Sequence, residues 1–330
     1  MSDRPAAVIA MSAVHWPSLF PDPVRRRVGD LVAFDPALIV DCFDDPRLGA
    51  RLADVEILIT GWGCPAIDGP ALDAMPKLRA VLHAAGSVKG HLSPQVWDRG
   101  IAVSSAAAAN AVPVAEFALA AILLAGKGAF GFRERYRRER FFELGFIHPG
   151  VGNYRRTVGI IGASRIGRQV IDLLRPFDVE LVVYDPYADD LDVPLVDLWT
   201  LLASSDVVSV HAPATAETYR MLGRAELALM PDGATLVNTA RGQLVDTDAL
   251  ITELRSGRLS AVLDVTDPEP LPADSPLFGL PNAFVTPHVA GSHGNELARL
   301  GACVADELAR FLAGEPLRHP VGLADLDRGA

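Results

Sequence analysis

"TVGIIGASRIGR", residues 157–168, decides how this chain is read. An apolar run, TVGII, enters a turn of the form G-x-S-x-x-G, and an amphipathic stretch, RIGRQVIDLLRPF, leaves it. Strand, tight turn and helix in this order let a backbone approach a pyrophosphate while the helix N-terminus faces the anion. Serine stands where the second glycine of G-x-G-x-x-G is usual. Gly162 and Gly167 keep the tight bend and the close helix packing, and Ser164 brings a hydroxyl able to donate to a phosphate oxygen. The N–H groups of Arg165 and Ile166 open the helix toward the anion. About twenty residues on, VELVVYD ends in Asp185, where a carboxylate would accept from ribose hydroxyls. A degenerate glycine pattern alone suits a connection that binds nothing equally well. The flanking strand and helix, with Asp185, favour a dinucleotide, NAD.

Working outward, apolar runs of strand length alternate with helical segments, the pattern of parallel sheets covered on both faces. The first hundred residues predict strands at AAVIAMS, ALIVD, VEILIT, LRAVLHA and IAVSS. From residue 157 a second series follows: TVGIIG, VELVVYD, DVVSVHA, ATLVNTA, SAVLDV and AFVTPHV. Two doubly wound α/β units result. A long helical region at 110–142 separates them, apolar first and rich in Arg and Glu afterwards; the charged half is either plain surface or an arm toward a second subunit. HGNELARLGACVADELARFLAGEP, at 293–316, predicts a last helix ended by Gly and Pro.

At 330 residues the chain exceeds one ordinary core, so two domains are expected. Half the residues are hydrophobic and 22% charged, as in globular proteins. A net charge of −11 argues against nucleic-acid or anionic-membrane partners, which need a clustered positive surface. Cys42, Cys64 and Cys303 have neither metal-ligand spacing nor a paired pattern, so no metal site is expected and a reducing, cytoplasmic compartment fits. The apolar start behind MSDRP suits a first buried strand better than a signal peptide. VAEFALAAILLAG, at 114–126, is too short to span a bilayer and contains Glu116, which predicts a helix buried within protein.

Three chemically capable residues directly follow strands of the second series. Arg241 comes after ATLVNTA, Glu269 a few residues beyond SAVLDV, and His288 after AFVTP. Beyond the carboxyl ends of parallel strands, such groups converge on the crevice that holds the cofactor. Each also has a plainer reading: a structural arginine, a loop charge among prolines, a core histidine. Their shared sheet edge favours chemistry.

Over nearly its whole length, and most strongly from residue 157 to 292, the chain resembles the D-isomer-specific 2-hydroxyacid dehydrogenases. VGIIGASRIGR, YDP, VHAPAT, MPDGATLVNTARGQLVDTDAL, LDVTDPEPLP and NAFVTPHVAGS carry the resemblance, and the first hundred residues share only architecture. It implies a Rossmann NAD domain at 106–296 inserted into a flavodoxin-like substrate domain formed by 1–105 and 297–330, and a homodimer through the cofactor domains. Arg241, Glu269 and His288 match the family's catalytic arginine, acid and histidine. Asp264 matches the residue near the nicotinamide carboxamide; His211, Pro213, Thr239, Ala240 and Gly291 fall on segments lining the cofactor. Gly86, Ser87 and Val88, in HAAGSVKG, are the nearest match to the turn whose N–H groups hold the substrate carboxylate. Lys89 either assists an anionic substrate or faces water, and Trp62 either walls the pocket or is structural.

The implied reaction is hydride transfer between NAD(H) and C2 of a D-2-hydroxy acid or 2-oxo acid of the glyoxylate or hydroxypyruvate kind. In it Arg241 polarises the carbonyl, His288 exchanges the proton, and Glu269 orients the imidazole and favours its charged form. Three rival functions share the fold. Formate dehydrogenases resembling this family carry glutamine where Glu269 stands. Phosphite oxidation and NADH sensing by a corepressor-like binding protein are the remaining two.

Overall fold

The computed structural model describes residues 4–142 and 150–328, so the outermost residues of the expected substrate domain and 143–149 of the expected cofactor domain lie outside the described residues. All eleven expected strands form. The chain divides into two compact units, residues 1–110 with 292–330 and residues 111–291. The divisions fall about five residues inside 106–296 on both sides. Ala106 and Ala109 pack with Leu300 and Val304 in the first unit's core, and the Ser292 N–H donates to Asn110 Oδ1 at 2.9 Å, so both connecting segments belong with the first unit.

The first unit holds β1 (Ala7–Ala10), β2 (Ile39–Val40), β3 (Ile57–Thr60), β4 (Ala80–His83) and β5 (Ala102–Ser105). They form a parallel sheet of order β2-β1-β3-β4-β5. This is the flavodoxin-like order, reversing direction between β1 and β3. Every residue of β1, β3 and β4 is buried, which is why these strands read as unbroken apolar runs rather than alternating ones. The expected C-terminal helix forms at Leu297–Leu312 and covers one face through Leu300, Val304 and Leu308. Gly301 lets it approach closely, since a methyl there would lie 1.8 Å from the Leu19 carbonyl oxygen.

The second unit holds β6 (Arg156–Ile161), β7 (Val179–Tyr184), β8 (Val207–Val210), β9 (Thr235–Asn238), β10 (Ser260–Leu263) and β11 (Ala283–Val285). Their order is β11-β10-β9-β8-β6-β7, again parallel. A single-residue bridge, Leu195 to Val183, extends the sheet beyond β7 and completes the Rossmann order with its third strand reduced to one pairing. The sequence carries no strand-length apolar run there, and none was expected.

The helical region is two helices, Ala107–Gly126 and Ala129–Glu139, parted by Gly128 at φ 63°. The first begins three residues ahead of the expected region at 110–142, because the good helix formers Ala107–Ala109 extend it to 20 residues, with Pro113 inside. By length and composition alone it could cross a membrane. Ala115, Ala118, Ala121 and Ile122 nonetheless pack against Val158, Ile160 and Val207 of the sheet, while Glu116 is exposed. In the second helix, Arg133 and Arg137 pair with Glu134 and Arg138 with Glu139, all on the surface, where such pairs contribute little.

Two histidines are enclosed without an acidic partner. His83 ends β4, its Nδ1 2.8 Å from Thr60 Oγ1, and burial, reinforced by His91, pulls its pKa down to about 3. His211, after β8, is pulled down to about 4 by burial. An unfolded imidazole titrates near 6.5, so between that value and 4 the unfolded chain binds more protons. The stabilising contribution is complete above pH 6.5 and is lost as pH falls toward 4, by about 2 kcal/mol per histidine at pH 5. Urea unfolding at pH 7 and pH 5 should show the loss, and His83→Gln should shrink it; a difference unchanged by the substitution would contradict this.

Candidate active site

The 162–167 turn is built around two places where no side chain fits. Gly162 has φ +94°, and a methyl on it would lie 2.6 Å from the Ala212 nitrogen. A methyl on Gly167 would lie 2.0 Å from the Gly162 carbonyl oxygen. Ser164 stands between them at φ −65°, ψ 179°, a conformation open to any residue. The serine therefore leaves the turn intact. It also caps the helix Arg165–Leu174, its Oγ accepting from the Gly167 N–H at 3.4 Å, which leaves the hydroxyl hydrogen available to an anion. Arg165 is exposed and Ile166 half-buried; their N–H groups belong to the first turn, where helices lack internal acceptors.

Asp185 does more than end β7. Its Oδ2 accepts from the Ala163 N–H at 2.7 Å and its Oδ1 from the Tyr187 N–H at 2.8 Å, tying the turn to the neighbouring strand end. Each oxygen keeps a further lone pair. Beyond β8, His211 Nε2 lies 2.9 Å from Ser209 Oγ, and the Pro213 carbonyl accepts from Thr218 Oγ1. His211 Nδ1 and, beyond β9, Thr239 Oγ1 are buried with no partner among the described residues. Unpaired buried polar atoms are rare. Here they occur beyond strands near the β6/β8 reversal, alongside glycines that admit no side chain, and such residues fit a dinucleotide.

The catalytic candidates share one edge of the same sheet. Arg241 leaves β9 on a turn braced by Asn238, whose Oδ1 accepts from the Ala240 N–H and whose Nδ2 donates to the Arg241 carbonyl. Its Nη1 donates to the Ala240 carbonyl at 2.6 Å. Burial lowers the guanidinium's pKa, and the nearby Glu269 charge works against that. Glu269 Oε1 lies 2.6 Å from His288 Nδ1, leaving Nε2 as the ring nitrogen able to exchange a proton with a substrate.

His288 occupies the left-handed region at φ +55°, uncommon for a residue with a side chain. Asp264 holds it there. The buried carboxylate accepts from Thr286 Oγ1 and the Val289 N–H through Oδ1, and from the Ala290 N–H through Oδ2, all within 2.8 Å. The Asp264 carbonyl accepts from the His288 N–H. In this structure Asp264 thus clamps the histidine segment, and Gly291 follows directly on its last anchored residue.

Gly86, Ser87 and Val88 belong to the other unit. Val88 is buried, the Ser87 hydroxyl accepts from the Lys89 N–H, and Lys89 is exposed. None of the three N–H groups donates to a protein acceptor among the described residues, as an anion-holding turn requires. Asn238, Thr286 and Asn110 were missed in sequence. Asn238 had a signal, standing at a strand end just before the candidate arginine; the other two act through contacts distant in sequence.

Residues 119–290 match the family model described as D-isomer specific 2-hydroxyacid dehydrogenase, NAD binding domain. A glyoxylate reductase of Korarchaeum cryptofilum is 35% identical over 275 residues, covering 80% of this chain and 82% of that protein. A D-3-phosphoglycerate dehydrogenase of Archaeoglobus fulgidus is 32% identical over 267 residues, covering 79% of this chain and 50% of that protein, so the chain spans about half the length of that relative. Among solved structures, the TT0316 protein from Thermus thermophilus has a TM-score of 0.75 at 30% identity, covering 96% of this chain and all of that one. A phosphoglycerate oxidoreductase from Rhizobium etli reaches 0.82 at 23% identity, covering 96% and 98%.

The two jobs of Ser164 can be separated. Ser164→Asp keeps a helix cap, so thermal stability should stay within about 1 kcal/mol of the parent. It sets a carboxylate against the pyrophosphate, so NADH affinity measured by fluorescence titration should fall at least tenfold. Unchanged affinity would remove the turn from the cofactor site.

Proposed function

The chain belongs to the D-isomer-specific 2-hydroxyacid dehydrogenases, and on that premise we propose that it catalyses reversible reduction of a 2-oxo acid to a D-2-hydroxy acid with NADH. One observation carries the reading: the 2.6 Å Glu269–His288 pair, at the sheet edge that also bears Arg241. An imidazole oriented by a carboxylate is a proton-transfer device. Formate oxidation releases carbon dioxide and needs no such relay, so the pair favours hydroxy-acid chemistry over formate oxidation.

Bound NADH supplies the hydride. The balance is 2-oxo acid, NADH and one proton going to D-2-hydroxy acid and NAD+. His288 delivers that proton from Nε2 to the carbonyl oxygen, and Glu269 holds the ring by Nδ1. Arg241 binds the substrate carboxylate and polarises the carbonyl with its planar fork. In the first unit, the N–H groups of Gly86, Ser87 and Val88, which donate to no protein acceptor among the described residues, are the candidates for binding a carboxylate. Ser164 and the opening turn Arg165–Gly167 receive the pyrophosphate.

Asp185 favours NAD over NADP, because its carboxylate repels a 2′-phosphate and the nearby Arg168 is already paired with Asp190 at 2.6 Å. We also propose a homodimer through the cofactor unit. Leu124, Tyr136, Phe141 and Phe142, on and after its two leading helices, are exposed large hydrophobics.

NADH oxidation should proceed with glyoxylate or hydroxypyruvate, and kcat/KM should favour NADH over NADPH at least tenfold, about 1.4 kcal/mol. His288→Gln should lower kcat by 10²–10⁴, about the range for a general acid, with NADH affinity within threefold. Glu269→Gln should lower kcat less. Normal turnover by the His288 variant would refute the proton role.

A further inference from the structure

We propose that Trp62, with His15 and Val14, forms a largely aromatic wall for the part of the substrate beyond C2, so that 2-oxo acids with an apolar or aromatic chain are preferred over phosphorylated ones. This rests on the 2-oxo acid reduction proposed above and concerns the first unit alone.

The loops leaving β1, β3 and β4 emerge side by side at the carboxyl edge of the first sheet, β3 in the middle. Neighbouring strands are about 4.8 Å apart. If the β4 loop holds the carboxylate, the β3 loop begins about 5 Å away and the β1 loop about 10 Å, within reach of the side chain of a 2-oxo acid and the residues that would cover it. Trp62 stands on the β3 loop, His15 and Val14 on the β1 loop.

Trp62 is presented rather than packed away. The Cys64 N–H donates to the Gly61 carbonyl at 3.1 Å, so Trp62 sits at the tip of a tight turn. The Ser12 N–H donates to the Trp62 carbonyl at 2.8 Å, joining the turn to the β1 loop. Gly63, at φ +77°, permits that approach, since a methyl there would lie 2.8 Å from Ser12 Cβ. The rings of Trp62 and His15 meet edge to face at 5.4 Å. Trp16, by contrast, is a structural tryptophan, 5% exposed and stacked on Phe20; Trp62 remains 37% exposed, and Val14, next to His15 in the chain, 73%. An apolar surface held rigid and uncovered at a binding edge suits an apolar ligand group.

Charge points the same way. Residues 12–15, 61–66 and 84–91 contain no Asp, Glu or Arg, and Lys89 is their one lysine. A phosphate on C3 would require clustered cations or N–H donors along these loops. An isopropyl or phenyl group requires only surface to cover.

The test compares kcat/KM for glyoxylate, which has no chain beyond C2, with 4-methyl-2-oxopentanoate, phenylpyruvate and 3-phosphohydroxypyruvate. The parent should prefer one of the two apolar acids to the phosphorylated one at least tenfold. Trp62→Ala should lower the apolar acids at least tenfold, mostly through KM, and leave glyoxylate within threefold; Trp62→Phe should restore most of the loss. Unchanged glyoxylate turnover also shows that the alanine variant has folded. A parent that prefers 3-phosphohydroxypyruvate, or an alanine variant that loses glyoxylate and apolar acids equally, would overturn the wall. Turnover of no 2-oxo acid, glyoxylate included, would overturn the reduction itself and the wall with it.

Discussion

The buried carboxylate of Asp264 is the interaction on which the arrangement of the candidate catalytic residues depends. It sits directly after β10 and accepts three hydrogen bonds from the segment after β11, so two adjacent strand ends are fastened at one point. A carboxylate accepting several donors is among the stronger contacts a protein interior offers. It holds His288 in a left-handed conformation that costs on the order of 1 kcal/mol, and that conformation sets Nδ1 against Glu269. The acid, the histidine and the clamp are thus one mechanical unit on rigid strands. Positions fixed in this way need little rearrangement when a proton moves.

A similar economy governs the cofactor turn. Gly162 and Gly167 are fixed by van der Waals contact with the Ala212 backbone and with each other, whereas the position between them has ordinary extended geometry. Serine is therefore tolerated, and it turns a bare backbone position into a helix cap. Asp185 likewise combines two tasks, bracing the turn through the Ala163 N–H while keeping a negative charge at the end of β7.

Most of the fold was legible because both sheets are parallel and their strands are covered on both faces. Such strands read as short apolar runs, as TLVN and SAVL do. The third Rossmann strand left no run because it consists of one pairing at Leu195. The leading helix begins three residues ahead of the expected region at 110–142, because Ala107–Ala109 are good helix formers. In the candidate site, the shared sheet edge of Arg241, Glu269 and His288 was legible from their places after strands, since topology converts that position into convergence. The clamp by Asp264 and the link from Asn110 to Ser292 were not, because they join side chains to hydroxyl and backbone N–H donors 22 to 26 and 182 residues away. No local pattern records such partners.

The most direct test of the account is the fate of the hydride. With NADH deuterated at C4 of the nicotinamide, on the face from which transfer occurs, and hydroxypyruvate as acceptor, the account predicts D-glycerate carrying deuterium at C2 and no L-isomer. Glycerate of L or mixed configuration, or product without deuterium at C2, would contradict it.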